Sequence, residues 1–292
     1  MATQKIHFFT GKGGVGKSTL AASFAYEIAR KSASSNILLT ELNDRPFYQD
    51  KLGVSKSTYL PQKLEKLSKN LDLCLWSPQD CLKEYALHLL KIESLYKLFF
   101  ENPVSRSLIQ VAPGLQELAI LGKVTSSVRR HGPVMNYNQI IVDAYSTGHF
   151  LSLLRAPKAM AEVIKFGPMG EQSRSINQWI RNPDFCRIHL VCLAEIFPVT
   201  ETLELYQQLN EEFGLNPIVY LNKFINLQTS DLIDLPEAAQ SYFKTVLDRQ
   251  NESMNLLNAK GILFQKIELQ PTLHFLDLVQ KTLSEASSAC FS

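Results

Sequence analysis

The ten residues TGKGGVGKST, positions 10–19, carry the clearest chemistry in this sequence. Gly11, Gly16, Lys17 and Ser18 satisfy the spacing G-x-x-x-x-G-K-[ST], and each residue type has a physical task. Gly11, Gly13, Gly14 and Gly16, with Val15 among them, let successive backbone N–H groups turn towards an anion with no Cβ in the way. A helix that begins near Lys17 aims its positive end at the same anion. Lys17 is a mobile point charge long enough to reach the β- and γ-phosphates of a nucleotide. Ser18 offers a hydroxyl to Mg2+, an ion that keeps most of its waters. Thr19 is the natural donor to an α-phosphate. A glycine turn without a ligand has no use for Lys-Ser at a helix start, so the motif predicts a nucleotide-phosphate site. The loop reads phosphates rather than the base, and alone it leaves ATP and GTP open.

Such a loop needs a strand before it and a helix after it. KIHFFT (5–10) is a short apolar run stopped by Gly11, and LAASFAYEIARK (20–31) has helical spacing. Further short apolar runs follow at NILLTEL (36–42), LDLCLW (71–76), QIIVDA (139–144), RIHLVCLA (187–194), NPIVYLNK (216–223) and GILFQKI (261–267). Near-continuous apolar runs are the habit of strands covered on both faces. Their alternation with helical stretches predicts an α/β fold with a mostly parallel central sheet and helices on both faces. Residues of about 77–135 and 156–185 read as helical segments inserted into one domain spanning 1–292.

With 292 residues, 45% of them apolar, the chain can bury a full core without disulfide or metal staples. Its net charge of +2, from 30 basic and 28 acidic residues, gives no electrostatic footprint for nucleic acid. Five cysteines with no C-x-x-C argue against a disulfide framework or structural zinc and for a reducing compartment. Lys5 and His7 interrupt the first apolar run, unlike a secretory leader, and no run reaches the ~18 apolar residues of a membrane span. The last helical pattern, 271–286, puts Leu273, Leu276, Val279 and Leu283 on one stripe but only Lys281 as a basic residue, against Asp277 and Glu285. That reads as a docked helix rather than one lying on a membrane. The expectation is a cytoplasmic protein with no nucleic-acid partner and no stable membrane anchor.

Lys12 makes the loop read K-G-G-V-G-K-[ST]. This resembles the deviant phosphate loop of nucleotide-dimerised NTPases, in which the extra lysine reaches the partner's nucleotide. The resemblance implies that Lys12 stabilises transition-state charge across a dimer, as an arginine finger does. IIVDAYSTGHFLSLLRAP (140–157) narrows the likeness. It is similar to the D-T-A-P-T-G-H-T-L-R-x-L-x-x-P stretch of the arsenite-transporting and tail-anchored-protein-targeting ATPases, with Ala144-Tyr145-Ser146 in place of T-A-P. The resemblance implies ATP/ADP and Mg2+ as ligands, with Asp143 meeting the ion through water. Gly148 would be a mobile backbone donor near the γ-phosphate, and His149 part of the switch that reports it. APGLQELAIL (112–121), LDLCLWSPQDCLKEY (71–85) and ETLELYQQL (201–209) are weaker likenesses, with Ser77 replacing an Asp and Glu204 replacing an Arg. VYLNK (219–223) puts Asn222 where the family's Asn reads adenine; capping of the strand's exit is the alternative. In order, these motifs span most of residues 5–225.

The departures shape the functional expectation. The family's S-T-D-P-A stretch carries the Asp that positions the attacking water, and here the strand ends Thr40-Glu41-Leu42-Asn43-Asp44-Arg45-Pro46. Without a gap Asn43 takes the Asp position; with a one-residue shift Asp44 does. Asn cannot accept a proton, and Asp44 is the residue taken here as water-positioning. The resemblance then implies a slow Mg2+-dependent ATPase with Lys12, Lys17 and Asp44 as its catalytic set. It would work as a homodimeric or heterodimeric switch; the alternative is a non-hydrolysing adaptor paired with an active paralogue. The absence of C-x-x-C and of the soft-metal cysteine set disfavours arsenite. An apolar client segment is the partner the family implies, with Leu89, Leu90, Leu95, Leu98, Phe99 and Phe100 as a reduced groove or as core.

Overall fold

The computed structural model of the chain describes residues 4–43, 46–54, 62–90, 114–272 and 274–282. In chain order the elements open with β1 (Lys5–Thr10), α1 (Lys17–Lys31), β2 (Ile37–Leu42), α2 (Tyr48–Lys51), β3 (Leu64–Ser68), β4 (Leu71–Trp76) and α3 (Pro78–Leu90). Next come α4 (Leu115–Val124), α5 (Ser126–Arg129), β5 (Gln139–Asp143), α6 (Thr147–Val163), α7 (Pro168–Ile180), β6 (Cys186–Leu193) and α8 (Ile196–Phe213). β7 (Ile218–Phe224), a 3-10 turn (Thr229–Leu232), α9 (Glu237–Ala259), β8 (Phe264–Glu268) and α10 (Phe275–Thr282) complete the described chain. The strand order is β3-β4-β2-β5-β1-β6-β7-β8. The expected α/β fold with a mostly parallel sheet is what the chain adopts. It divides into two compact units, one taking residues up to Phe8 and Ala29–Arg187, the other Phe9–Ile28 and the residues from Ile188.

In the first unit β2 is buried along its whole length. It pairs in parallel with β4 and β5, so that Ile37 faces Leu71 and Gln139 while Glu41 faces Leu75 and Asp143. Apolar side chains on both faces are what a doubly covered parallel strand demands. β3 runs antiparallel to β4, with a bulge between Lys66 and Ser68, and its exposure alternates along its length. The apolar-run reading has no strand here, because Glu65, Lys66 and Ser68 leave only Leu64 and Leu67 apolar; such charge suits a sheet edge kept from further pairing. Among the helices α3 packs on α4, α4 on α6, and α6 on α7. A Cβ at Gly122 would lie 2.8 Å from the Tyr85 ring, which fixes how closely α4 and α3 approach. Lys123 is buried there, with its ammonium 2.7 Å from Glu84 and 5.0 Å above the Trp76 ring. Among the described residues of 77–135 lie α3, α4 and α5, and of 156–185 the end of α6, which continues through Pro157, and α7. Leu95, Leu98, Phe99 and Phe100 lie outside the described residues, as do the side chains of Leu89 and Leu90.

In the second unit β6 pairs in parallel with β7, and β7 with β8. Its core holds an aromatic cluster. Phe9 stacks on His189 at 4.2 Å, Phe24 tilts against the same ring, and His189 Nδ1 lies 3.0 Å from the Tyr220 hydroxyl. Gln250 on α9 satisfies the backbone just past β7: the Ile225 N–H donates to its Oε1 at 2.8 Å, and its Nε2 donates to the Ile225 carbonyl at 3.0 Å. On α10 Val279 is buried but Leu276 is 41% exposed, so the expected apolar stripe is only partly covered. Leu273 and Leu283 lie outside the described residues. No described helix is long and apolar enough to cross a membrane.

His7 on β1 is buried, with Nε2 2.9 Å from Gln139 Oε1. Burial pushes its imidazole down to about 4 from an ordinary 6.5. Below pH 6.5 the unfolded chain therefore gains a proton that the native chain does not. The stabilisation is complete above that pH and is lost as the pH falls towards 4. Urea titrations should show His7 alone removing on the order of 2 kcal/mol between pH 7 and pH 5. His7→Gln should flatten that slope, and an unaltered slope would refute the assignment.

Candidate functional site

The glycine loop leaves β1 and enters α1 in a shape that tolerates no side chain at two points. Gly11 has φ +148°, and a Cβ there would lie 2.1 Å from the Val191 carbonyl oxygen; Gly16 has φ +96°, and a Cβ there would lie 2.3 Å from Asn222 Nδ2. The Leu20 N–H donates to the Gly16 carbonyl at 3.0 Å and closes the first turn of α1. Lys17, Ser18 and Thr19 therefore form that turn, half-buried, where N–H groups have no intrahelical acceptor. The first turn of α1 holds no acidic residue, so the positive end of the helix is not neutralised from within it. Val15 is buried and anchors the loop, while Gly13 and Gly14 are exposed.

The structure brings Asn222 to this loop. Asn222 is buried near the end of β7, and its Nδ2 donates to the Val15 carbonyl at 2.8 Å. Because a carbonyl only accepts, the amide orientation is fixed and Oδ1 is left as the acceptor. Lys223 donates to the Gly14 carbonyl at 3.3 Å, a contact with no distinct mark in the sequence beyond its place beside Asn222. Lys12 is exposed, with its ammonium 3.0 Å from Glu201 Oε1 on α8. Phe197, one turn earlier on that helix, is 82% exposed. A cavity of about 680 Å3 opens beyond β7, lined among others by Phe224, Gln228, Leu232, Gln240 and Lys266. No residue of the glycine loop lines it, so its size alone does not make it the phosphate site.

In the other unit Asp143 ends β5 and is buried, and the wholly buried Tyr48 donates its hydroxyl to Asp143 Oδ2 at 3.2 Å. Glu41 faces Asp143 across the β2–β5 register and accepts the Phe47 N–H at 2.7 Å. Sequence reasoning missed Tyr48 and Glu41; the one available signal was a carboxylate inside the apolar run I-L-L-T-E-L. Asn43 is exposed just after β2, while Asp44 and Arg45 lie outside the described residues. Ser146 precedes α6 in an extended conformation, and Thr147, Gly148 and His149 form the first turn. Open space surrounds the position a Cβ would take at Gly148. His149 meets Tyr145 edge-on at 6.2 Å.

The donor chemistry separates two kinds of metal. The Ser18 hydroxyl and Asp143 carboxylate are hard oxygen donors of the kind Mg2+ takes. Burial pushes the thiols of Cys74 and Cys186 up to about 12 and those of Cys81 and Cys192 up to about 11, so they stay protonated near neutral pH. Among the described residues no three His, Cys, Asp or Glu side chains converge on a metal position.

Comparison with known proteins agrees with the loop. The profile of the anion-transporting ATPases matches residues 4–169. The chain is 29% identical over 246 residues to the ATPase BagA of Mycobacterium tuberculosis, covering 80% of this chain and 69% of that protein. It is 26% identical over 290 residues to the ATPase ASNA1 homolog of Plasmodium chabaudi chabaudi, covering 87% and 72%. Its likeness to the arsenical pump-driving ATPase of Escherichia coli is 26% over 214 residues, 71% of this chain but 32% of that one.

The Tyr48–Asp143 hydrogen bond ties a wholly buried hydroxyl to the carboxylate. Tyr48→Phe keeps the packing and removes one donor to a buried carboxylate. It should lower the unfolding free energy by about 1–3 kcal/mol in urea titration at pH 7. A loss indistinguishable from zero would mean that the hydroxyl does not support Asp143.

Proposed function

Because the chain belongs to the anion-transporting ATPase family, we propose that it binds ATP with Mg2+ at residues 11–19 and hydrolyses it slowly as a dimeric switch in the cytoplasm. The observation that carries this reading is the loop itself: two glycines packed where no side chain fits, leading straight into a helix start of Lys-Ser-Thr. Lys17 would hold the β- and γ-phosphates, Gly13 through Gly16 would present N–H groups, and Thr19 would meet the α-phosphate. Ser18 would bind Mg2+ directly and Asp143 through water. The ion's contribution would be to neutralise charge on the phosphate oxygens. Asp44 would orient the attacking water.

The family to which the chain belongs supports ATP over GTP. With one Nδ2 hydrogen given to the Val15 carbonyl, Asn222 keeps Oδ1 and its second N–H. That acceptor–donor pair would match the exocyclic amine and N7 of adenine. Lys12 would act on the nucleotide of a partner subunit, a homodimer mate or a paralogue. Gly148 and His149, in the first turn of α6, would pass the phosphate state along that helix. Its far end carries Val163, 80% exposed, and beyond it lies Phe166, 87% exposed. Such apolar surface suits an apolar client segment.

A second reading, an adaptor that binds nucleotide without turnover, rests on Asn43, the exposed residue that directly follows β2 and takes the place of the family's Asp when the two are matched without a gap.

Steady-state ATP turnover with Mg2+ separates the two. Wild-type activity is expected, abolished in Lys17→Ala and reduced on the order of a thousandfold in Lys12→Ala. Lys12→Ala should still bind ATP as a single chain while losing nucleotide-dependent dimerisation in sedimentation. ATP bound but not turned over by the wild type would select the adaptor. Measurable turnover that is equal in the wild type and Lys17→Ala, or a wild type that binds no nucleotide, would refute both.

A further inference from the structure

Consecutive side chains of a regular strand project to opposite faces. The exit of β7 breaks this rule. Its pairing with β8 runs through Leu221 opposite Lys266 and resumes at Phe224 opposite Glu268, so two residues of β7 stand against one of β8. The extra residue is accommodated by Lys223 at φ +56°, a left-handed conformation that glycine or asparagine adopts more readily than lysine. As a result two neighbouring side chains reach one loop. Asn222 Nδ2 donates to the Val15 carbonyl and Lys223 Nζ donates to the Gly14 carbonyl.

These two acceptors are successive peptide units. In a trans peptide the carbonyl of one residue and the N–H of the next point in opposite directions from one rigid plane. Turning the Gly14 and Val15 carbonyls towards β7 therefore turns the Val15 and Gly16 N–H groups away from it. We propose that Lys223 is a positioning residue for nucleotide binding: with Asn222 it holds the loop's carbonyls from behind, so that the loop's N–H groups are already set for the phosphates. Asn222 supplies the buried half of the grip and Lys223 the exposed half. Lys223 itself touches no phosphate. The strained backbone serves this geometry, because a regular strand would send the Lys223 side chain to the other face.

The proposal rests on the phosphate-binding reading of residues 11–19, and two measurements keep the two apart. The first is affinity for a fluorescent ADP, in wild type, Lys223→Met, Lys223→Arg and Lys223→Gly. Methionine keeps much of the stem and removes the donor, arginine restores a donor, and glycine removes both donor and strain. Lys223→Met and Lys223→Gly should bind about tenfold more weakly, Lys223→Arg close to wild type. Thermal midpoints of the nucleotide-free proteins should not follow this order. The second is amide hydrogen exchange across residues 13–17 without nucleotide, which should speed up in Lys223→Met and recover in Lys223→Arg. Weaker binding with unchanged exchange would mean that the ammonium acts directly on phosphate, overturning the positioning role. Faster exchange with unchanged affinity would overturn the link to binding, and no change in either would overturn the whole. A wild-type protein that binds no nucleotide would defeat the phosphate reading, while exchange would still decide whether Lys223 holds the loop.

Discussion

A loop that binds an anion through its backbone must turn its carbonyls away from the site, because each carbonyl left facing inward would repel the ligand. The groups turned outward then need donors of their own. Here those donors come from β7, and this requirement organises the second unit. β7 must end where the loop passes, Gly16 must be a glycine because its backbone is held at φ +96° against the Asn222 amide, and Gly11 must be one because the Val191 carbonyl occupies its Cβ position. The aromatic packing of Phe9, Phe24, His189 and Tyr220 lies along the strands that lead to these contacts, β1, β6 and β7, and along α1. A rigid base of this kind lets a short glycine-rich segment keep one conformation despite its intrinsic freedom.

The first unit places its charges differently. Glu41 and Asp143 face each other in register on buried strands, and each has a hydrogen-bond donor from the segment 47–48: the Phe47 N–H for one, the Tyr48 hydroxyl for the other. Two carboxylates side by side in a buried position are expensive unless donors or cations attend them. Lys123 shows the same rule with the opposite sign, its buried ammonium matched by Glu84 and the face of Trp76. The unit thus confines its buried charge to a few positions, and apart from Thr40, Asp72 and Gln139 the rest of β2, β4 and β5 is apolar.

What the sequence made legible follows from what it encodes locally. β1, β2, β4, β5, β6 and β7 were readable because burial leaves near-continuous apolar runs, and the loop was readable because its chemistry is written in consecutive residues. β3 was not, because Glu65, Lys66 and Ser68 break up its apolar pattern. Tyr48 and Glu41 were not, because their roles arise from register and from a chain reversal after β2. Asn222 was noticed for a base, yet its observed bond is to Val15. Lys223 was unmarked, since a bulge and a positive φ leave no signature in the letters N-K-F. The reading of Asp44 falls outside the described residues and stands as proposed.

Lys12 brings local and collective demands together. In the single chain it is not a free cation: Glu201 holds it at 3.0 Å. Both side chains are about half exposed, and ion pairs of that kind are worth about 0–1 kcal/mol. Such a pair keeps a flexible side chain near the loop without committing it. Releasing the lysine to a phosphate would exchange a screened, solvated partner for a more highly charged and better buried one, a trade electrostatics favours. A lysine locked in a dry ion pair would lose that freedom, because breaking a buried pair costs several kcal/mol. Exposure of the Lys12–Glu201 pair is therefore the property a residue needs if it must serve one chain alone and another when two meet.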